Sequence, residues 1–453
     1  MNRQELYESG KSIFSFAHWR NRLIFWLGAI IIGACAAGFA YISDDAQATF
    51  TDIIAGHPLL PLVLCPALFA LAGWLTMRYC PTAQGSGIPQ AIAARVAESP
   101  EDRKYLLGPQ VIFGKIIFTV LGLLGGASIG REGPTVQLGA ALLYLGTAFG
   151  AMSAEMSRSI ILAGAAAGIA AAFNTPLAGI VFAIEEMARA FEYRYSGVVL
   201  TAIVLAGASS LSILGNYSYF GYADGDFSIM RDLLAVIAIG VVGGGCGGLF
   251  ARALIDGGKW LYDLSKKSHL HHPALFAGLC GLAIAGLGLA THGATFGSGY
   301  DQAKALLHGE SAATAPWLYT IAKFLATTVS GFSGLPGGIF SPSLSVGAGL
   351  GATLAPWFPH TPTAGIVLLG MTAYFAGVTQ APITAFIIVL EITGGESLPV
   401  PLIATAVIAS AVSRLICPVS LYHALAKSFI DETMLHRNQP PAADAEAAAH
   451  EAH

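Results

Sequence analysis

The sequence predicts an all-α polytopic membrane protein made of two pseudo-symmetric repeats of many short, tilted and broken helices. Three observations carry that prediction. Of 453 residues, 55% are hydrophobic and only 11% charged, whereas soluble domains carry about a quarter charged residues. Charge-free runs long enough to cross a bilayer, which takes about 20 apolar residues, recur along the chain. Finally, the chain matches itself at an offset of 208 residues.

The elements follow in order. Residues 1–23 hold Arg3, Lys11, Arg20 and Arg22 ahead of the first apolar run, Leu23 to Ser43. That excess of cations places the N-terminus on the cytoplasmic side. The run is too long for a cleavable signal and no small-residue cleavage site follows it. Pro58 to Met77, Ser196 to Tyr222 and Leu233 to Ala251 are further runs of spanning length. Between Lys323 and Arg414 the only charges are Glu391 and Glu396, and Gly and Pro cut that stretch into pieces too short to span. Broken helices survive at membrane depth only when buried in protein. Residues 439–453 are rich in Pro, Ala and acids and read as a disordered tail.

A net charge of -4 without a basic cluster gives no sign of a nucleic-acid partner. The six cysteines, Cys35, Cys65, Cys80, Cys246, Cys280 and Cys417, lack the short spacings of a metal site or disulfide framework and read as packing residues. No cofactor or metal is expected. His269, His271 and His272 read as an exposed loop.

At the offset of 208, Lys115 falls on Lys323, Thr119 on Thr327, Gly126 on Gly334, Gly130 on Gly338, Pro134 on Pro342 and Gly139 on Gly347. At 206, Gly164 falls on Gly370, Pro176 on Pro382 and Glu185 on Glu391. Two prolines, a lysine and a glutamate in register make chance a poor account. The halves are placed at 24–215 and 232–425, with a linker at 216–231 and a cytoplasmic tail from 426. Segment lengths do not fix whether the halves run parallel or inverted; inversion is the expectation carried forward. A transport site is expected near mid-membrane where such halves meet.

Within the stretch from Tyr105 to Ser157, Arg131 and Glu132 stand side by side with only Lys115 and Glu155 as other charges. A charge at membrane depth is costly, so its default reading is functional. The pair lies in one of three Gly/Pro breaks: Gly85-Ser86-Gly87-Ile88-Pro89, Gly130-Arg131-Glu132-Gly133-Pro134 and Gly337-Gly338-Ile339-Phe340-Ser341-Pro342. Each ends in proline, which suits the first turn of a helix. Convergent helix N-termini, with their free N–H groups and partial positive charge, would hold an anion without a buried cation.

These motifs, the stretch from Gly164 to Met187 that ends in Glu185-Glu186-Met187, and Leu421-Tyr422 near the end resemble the CLC family of chloride channels and chloride/proton antiporters. The resemblance covers nearly the whole membrane region in the family's order. It implies that Ser86 and Tyr422 offer hydroxyls to a central chloride and that the N–H groups of Ile339 and Phe340 complete its shell. Gly85, Gly87, Pro89, Gly133, Pro134 and Arg131 would support that site, with Lys115 a countercharge or a pathway residue. Glu132 would be the gate, a carboxylate that occupies the anion site when ionised and leaves it when protonated. Glu186 would relay protons from the cytoplasm, and Glu185, with its repeat partner Glu391, would line a water route. The implied protein is a homodimer in the cell inner (plasma) membrane with both termini cytoplasmic, exchanging chloride for protons across the lipid bilayer.

Two departures stand out. Gln90 follows Pro89 where many relatives have Glu, and no paired nucleotide-binding domains follow the membrane region. Ser86 matches the chloride-selecting form of the first break; the fluoride-exporting branch departs from this motif. Competing readings are a passive chloride channel, and an intramembrane protease using Ser333 of Gly331-Phe332-Ser333-Gly334 with His423. Glu132 and Arg131 as a mutual ion pair, and Glu186 as a snorkelling surface acid, are the bland alternatives. Gly122 with Gly126 and Gly126 with Gly130 read as helix-packing notches.

Overall fold

The computed structural model describes residues 16–149, 153–188, 196–215, 219–221, 229–267, 272–310, 314–394 and 399–437. Most of the expected N-terminal segment and linker, the tail from Gln439, and His269, His271 and Glu396 lie outside the described residues. The described chain is helical, with only two isolated β-bridges.

The first half runs α1 (Phe16–Ala55), α2 (Pro61–Tyr79), α3 (Ile88–Val96), α4 (Pro100–Leu107), α5 (Pro109–Leu124), α6 (Glu132–Gly146), α7 (Ala154–Phe173), α8 (Pro176–Phe182) and α9 (Ser196–Leu214). The second half runs α10 (Ile229–Lys267), α11 (Pro273–Ala290), α12 (Tyr300–Leu307), α13 (Pro316–Phe332), α14 (Phe340–Leu354), α15 (Thr363–Thr379), α16 (Pro382–Thr393) and α17 (Pro399–Ile416), and α18 (Leu421–Arg437) closes the chain. Each of α1–α3 and α5–α9 therefore has a partner in α10–α17, in the same order. Among the described residues α4 and α18 have none.

Local chemistry sets the boundaries the same way in both halves. Asn174 after α7 and Gln380 after α15 are both left-handed, at φ 58° and 59°, and each is followed two residues later by the proline that opens the next helix. A left-handed residue stops one helix and proline, which needs no N–H, starts the next. Ser99 and Ser153 cap α4 and α7 by accepting from the N–H groups of Asp102 and Met156. The apolar run from Ser196 ends as helix at Leu214, short of Tyr222, because Gly215 turns the chain at φ 84°.

Among the described residues seven helical stretches are long and apolar enough to cross a membrane, and α9, α15 and α16 are shorter apolar helices. Large apolar side chains are exposed along α1 (Leu23, Leu27, Ile31), α10 (Leu234, Val241), α11 (Leu275, Leu279) and α17 (Val407, Leu415), while α15 is buried from Gly365 to Thr379. An apolar exterior around a buried helix is the pattern of a membrane protein in lipid. The six cysteines are free thiols.

Glycines let the central helices touch backbone to backbone. A Cβ on Gly139 of α6 would collide with the Gly164 carbonyl of α7, and one on Gly347 of α14 would sit 2.6 Å from the Gly370 carbonyl of α15. These four glycines are two repeat-related pairs, so the offset records a packing requirement. Gly122, Gly126 and Gly130 are not a helix notch: Gly126 and Gly130 lie in the non-helical break after α5, where Gly126 has φ 75° and abuts Phe50 and Phe296.

Candidate functional site

Hydrogen bonds stitch the three Gly/Pro breaks together. Gly85 N–H donates to Leu335 O at 3.1 Å, and Gly337 N–H to Gly85 O at 3.0 Å. Gly130 and Gly338 exchange N–H···O bonds of 2.7 Å in both directions, an antiparallel bridge between repeat-equivalent residues. Equivalent segments running antiparallel is the relation expected of inverted halves. Directly after these bonds start α3, α6 and α14, so three helix N-termini meet at one junction.

The close approach depends on absent side chains. A Cβ on Gly133 would collide with Ser86 Oγ, and one on Gly338 would come within 2.8 Å of Gly133 N. Gly85 and Gly87, at φ 64° and 99°, turn the chain into α3 through a conformation L side chains rarely adopt. Pro89 and Pro134 lie in the first turns of α3 and α6, as their missing N–H groups allow.

Glu132 is the first residue of α6 and is 1% exposed. Its Oε1 accepts from Ser341 Oγ at 2.6 Å and from the Tyr219 hydroxyl at 3.0 Å. Oε2 is buried without a hydrogen-bond partner among the described residues and lies against Gly130, where a Cβ would collide with it. Arg131 points elsewhere. Its Nη1 donates to Ala40 O at 2.8 Å and pairs with Asp44, both on α1. The two adjacent charges are not each other's partner.

Ser86 Oγ and the Tyr422 hydroxyl are buried, and neither makes a hydrogen bond of ordinary geometry to any other group among the described residues. Tyr422 lies near Ser86, Glu186 and Glu132. Ile339 caps α14 and Phe340 begins it, which leaves their N–H groups at a helix end with no intrahelical acceptor. The Phe340 ring sits among Phe173, Phe182, Phe375 and Tyr422 at centroid distances of 4.8 to 6.3 Å. The junction thus joins polar backbone to an aromatic wall. Donors in a dry surround suit an anion stripped of water.

Glu186 lies in a π-turn, Ala183–Ala188, that prolongs α8, and it is 3% exposed, so it does not snorkel at a surface. His423 Nδ1 lies 3.4 Å from its Oε1. Glu185 and Glu391 have a use the sequence did not disclose. Glu185 accepts from the N–H groups of Ile383 and Thr384 at 3.1 and 2.6 Å, and Glu391 from those of Leu177 and Ala178 at 3.1 and 2.7 Å. Each repeat-related acid caps the other half's helix N-terminus. Ser333 Oγ donates to Ser330 O at 2.7 Å, so its hydroxyl is committed within its own turn.

Lys115 Nζ donates to Ala83 O and Gly85 O at 2.7 and 2.9 Å, holding the first break. Lys323 does the same to Thr295 O and Gly297 O at 3.0 and 2.7 Å. That reveals a fourth break the sequence reading missed: Gly297-Ser298-Gly299 repeats Gly85-Ser86-Gly87, with positive φ at both glycines. There Gln47 Oε1 accepts from Ser298 N and Oγ. Gln90 is fully buried and its amide donates to Thr82 O and Gln84 O at 3.0 and 2.6 Å, tying α3 to the loop before it. Tyr219 and Ser341 were also missed. Ser341 sat inside a quoted motif, whereas nothing near Tyr219 marked it.

A model of the family described as voltage gated chloride channel matches residues 68–414. Among solved structures, the chain is similar to a slow cyanobacterial Cl-/H+ antiporter, with 25% identity over 91% of this chain and 98% of that one and a TM-score of 0.79. It shares its fold with a CLC-type fluoride/proton antiporter (24% identity, 90% and 98% covered, TM-score 0.74) and with a eukaryotic CLC transporter (23%, 90% and 74%, 0.71). The matched span contains all three stitched breaks and both buried acids, and the chain belongs to the voltage-gated chloride channel family, the CLC proteins.

Proposed function

We propose that this protein is a secondary active transporter exchanging chloride for protons, with Glu132 as a gate that competes with chloride for one place. The observation that carries this reading is the Glu132 carboxylate lodged at the meeting point of three helix N-termini, with one oxygen held by hydroxyls and the other unpartnered. Chloride would take its shell from the Ser86 and Tyr422 hydroxyls and the N–H groups of Ile339 and Phe340. An ionised carboxylate satisfies the same donors as the anion, so either can occupy them. Protonation removes its charge and its hold, and chloride enters as the acid swings out. Proton and chloride movements become steps of one cycle.

Glu186, the second buried acid, would supply the inner proton step, since a channel has no need of it. Ser86 in the first break favours chloride. The likeness to a Cl-/H+ antiporter supports exchange. The protein would act as a homodimer in the plasma membrane, with halves at 24–215 and 232–425 and both termini in the cytoplasm.

Reconstitution in liposomes tests the reading. A chloride gradient should drive protons uphill against their own gradient. Chloride flux with no proton movement would make the protein a passive channel.

A further inference from the structure

We propose that His423 passes protons between the aqueous face and Glu186; the proposal rests on the reading of Glu186 as the proton relay. A carboxylate 4% exposed needs a route to water. His423 Nδ1 is 3.4 Å from Glu186 Oε1, and the histidine side chain is 23% exposed. Nδ1 is itself buried, so the exposure belongs to the rest of the side chain. One face of the ring meets the acid and another meets the outside.

Its position on α18 gives that outside an aqueous character. The helix buries Leu421 and Tyr422 at the junction and then exposes Lys427 and Asp431. His423 sits where buried gives way to exposed. Ser420 Oγ, 3.5 Å from Glu186 Oε1, lies at the same place.

Imidazole is suited to the task because its two nitrogens are distinct and its ordinary pKa is about 6.5. The ring, starting with its proton on Nδ1, accepts a proton from water at Nε2 and becomes imidazolium. It then gives the Nδ1 proton to the Glu186 carboxylate, leaving a neutral acid and a neutral ring protonated on Nε2. Rotation of the ring, or exchange with water, restores the starting tautomer. Return of the proton reverses each step.

Arg95 Nη1 of α3 donates to Met187 O, next to Glu186, at 3.4 Å, and Lys427 lies one turn along α18 from His423. Tyr105 of α4 is engaged with Glu432 and Arg252 of α10 with Asp256, so those groups are paired off.

The test uses the full protein in liposomes under a chloride gradient, recording protons moved per chloride. In His423→Ala that number should fall by about a hundredfold, the low end of what a lost general acid-base group costs. His423→Gln, which keeps a polar side chain of similar reach, should fall alike. Imidazole added to the buffer should restore proton movement in His423→Ala but not in Glu186→Gln. A normal proton-to-chloride ratio in both His423 variants overturns the proposal, as does a loss that imidazole does not rescue. If Glu186→Gln itself keeps full proton movement, the relay reading beneath it fails instead.

Discussion

Glu132 offers one carboxylate oxygen to two hydroxyls and keeps the other against Gly130 with no partner. Tyr219 is held in place for this by ring contacts with Phe173 and Tyr300 at 5.4 and 5.0 Å. Hydrogen bonds to a charged group are worth about 1.5 to 3 kcal/mol. If Glu132 is the proposed gate, Tyr219→Phe should loosen it and raise chloride turnover by about tenfold, read as chloride efflux from liposomes at fixed pH; unchanged efflux would show that the phenol does not hold it. Glu132 stands out in the sequence because a charge in an apolar stretch is costly and rare. Tyr219 was not, because one tyrosine in a stretch rich in aromatic residues has no signature, and only folding brings it to a residue so far along the chain.

Elements repeat in order, but what the repeat is for differs by place. The glycine pairs Gly139/Gly164 and Gly347/Gly370 were visible as matches, and the structure supplies their cause in backbone contact between paired helices. Gly164→Val should destabilise the protein by about 1 to 3 kcal/mol or prevent folding, seen as a lower melting temperature or loss of the monodisperse peak in detergent. A melting temperature equal to that of the native protein would contradict the contact. The fourth break, at Gly297-Ser298-Gly299, was hidden because α4 has no counterpart among the described residues of the second half, so the offset changes between this break and the lysine that holds it. The π-turn that carries Glu185 and Glu186 was also illegible, since an inserted residue in a helix leaves no signature in composition or motif.

For the whole molecule, the antiparallel Gly130/Gly338 bridge and the reciprocal caps of Glu185 and Glu391 bind the halves to each other. Because the caps are symmetry-related, Glu185→Gln and Glu391→Gln should lower the melting temperature by similar amounts, each losing part of two charged hydrogen bonds. Widely different losses would mean that the two acids do unlike work. The class of fold and the membrane setting were open to sequence reading because composition and hydropathy state them directly. How the halves lock together depends on contacts across some two hundred residues, which only the folded chain displays.

The central claim is that a carboxylate and an anion compete for one junction of helix N-termini. Chloride efflux and proton uptake recorded together on liposomes carrying Glu132→Gln test it most directly. The amide mimics the protonated gate, so chloride should pass while proton movement is lost and the flux no longer depends on pH. Coupled exchange with its native pH dependence would contradict the claim and place the gate elsewhere.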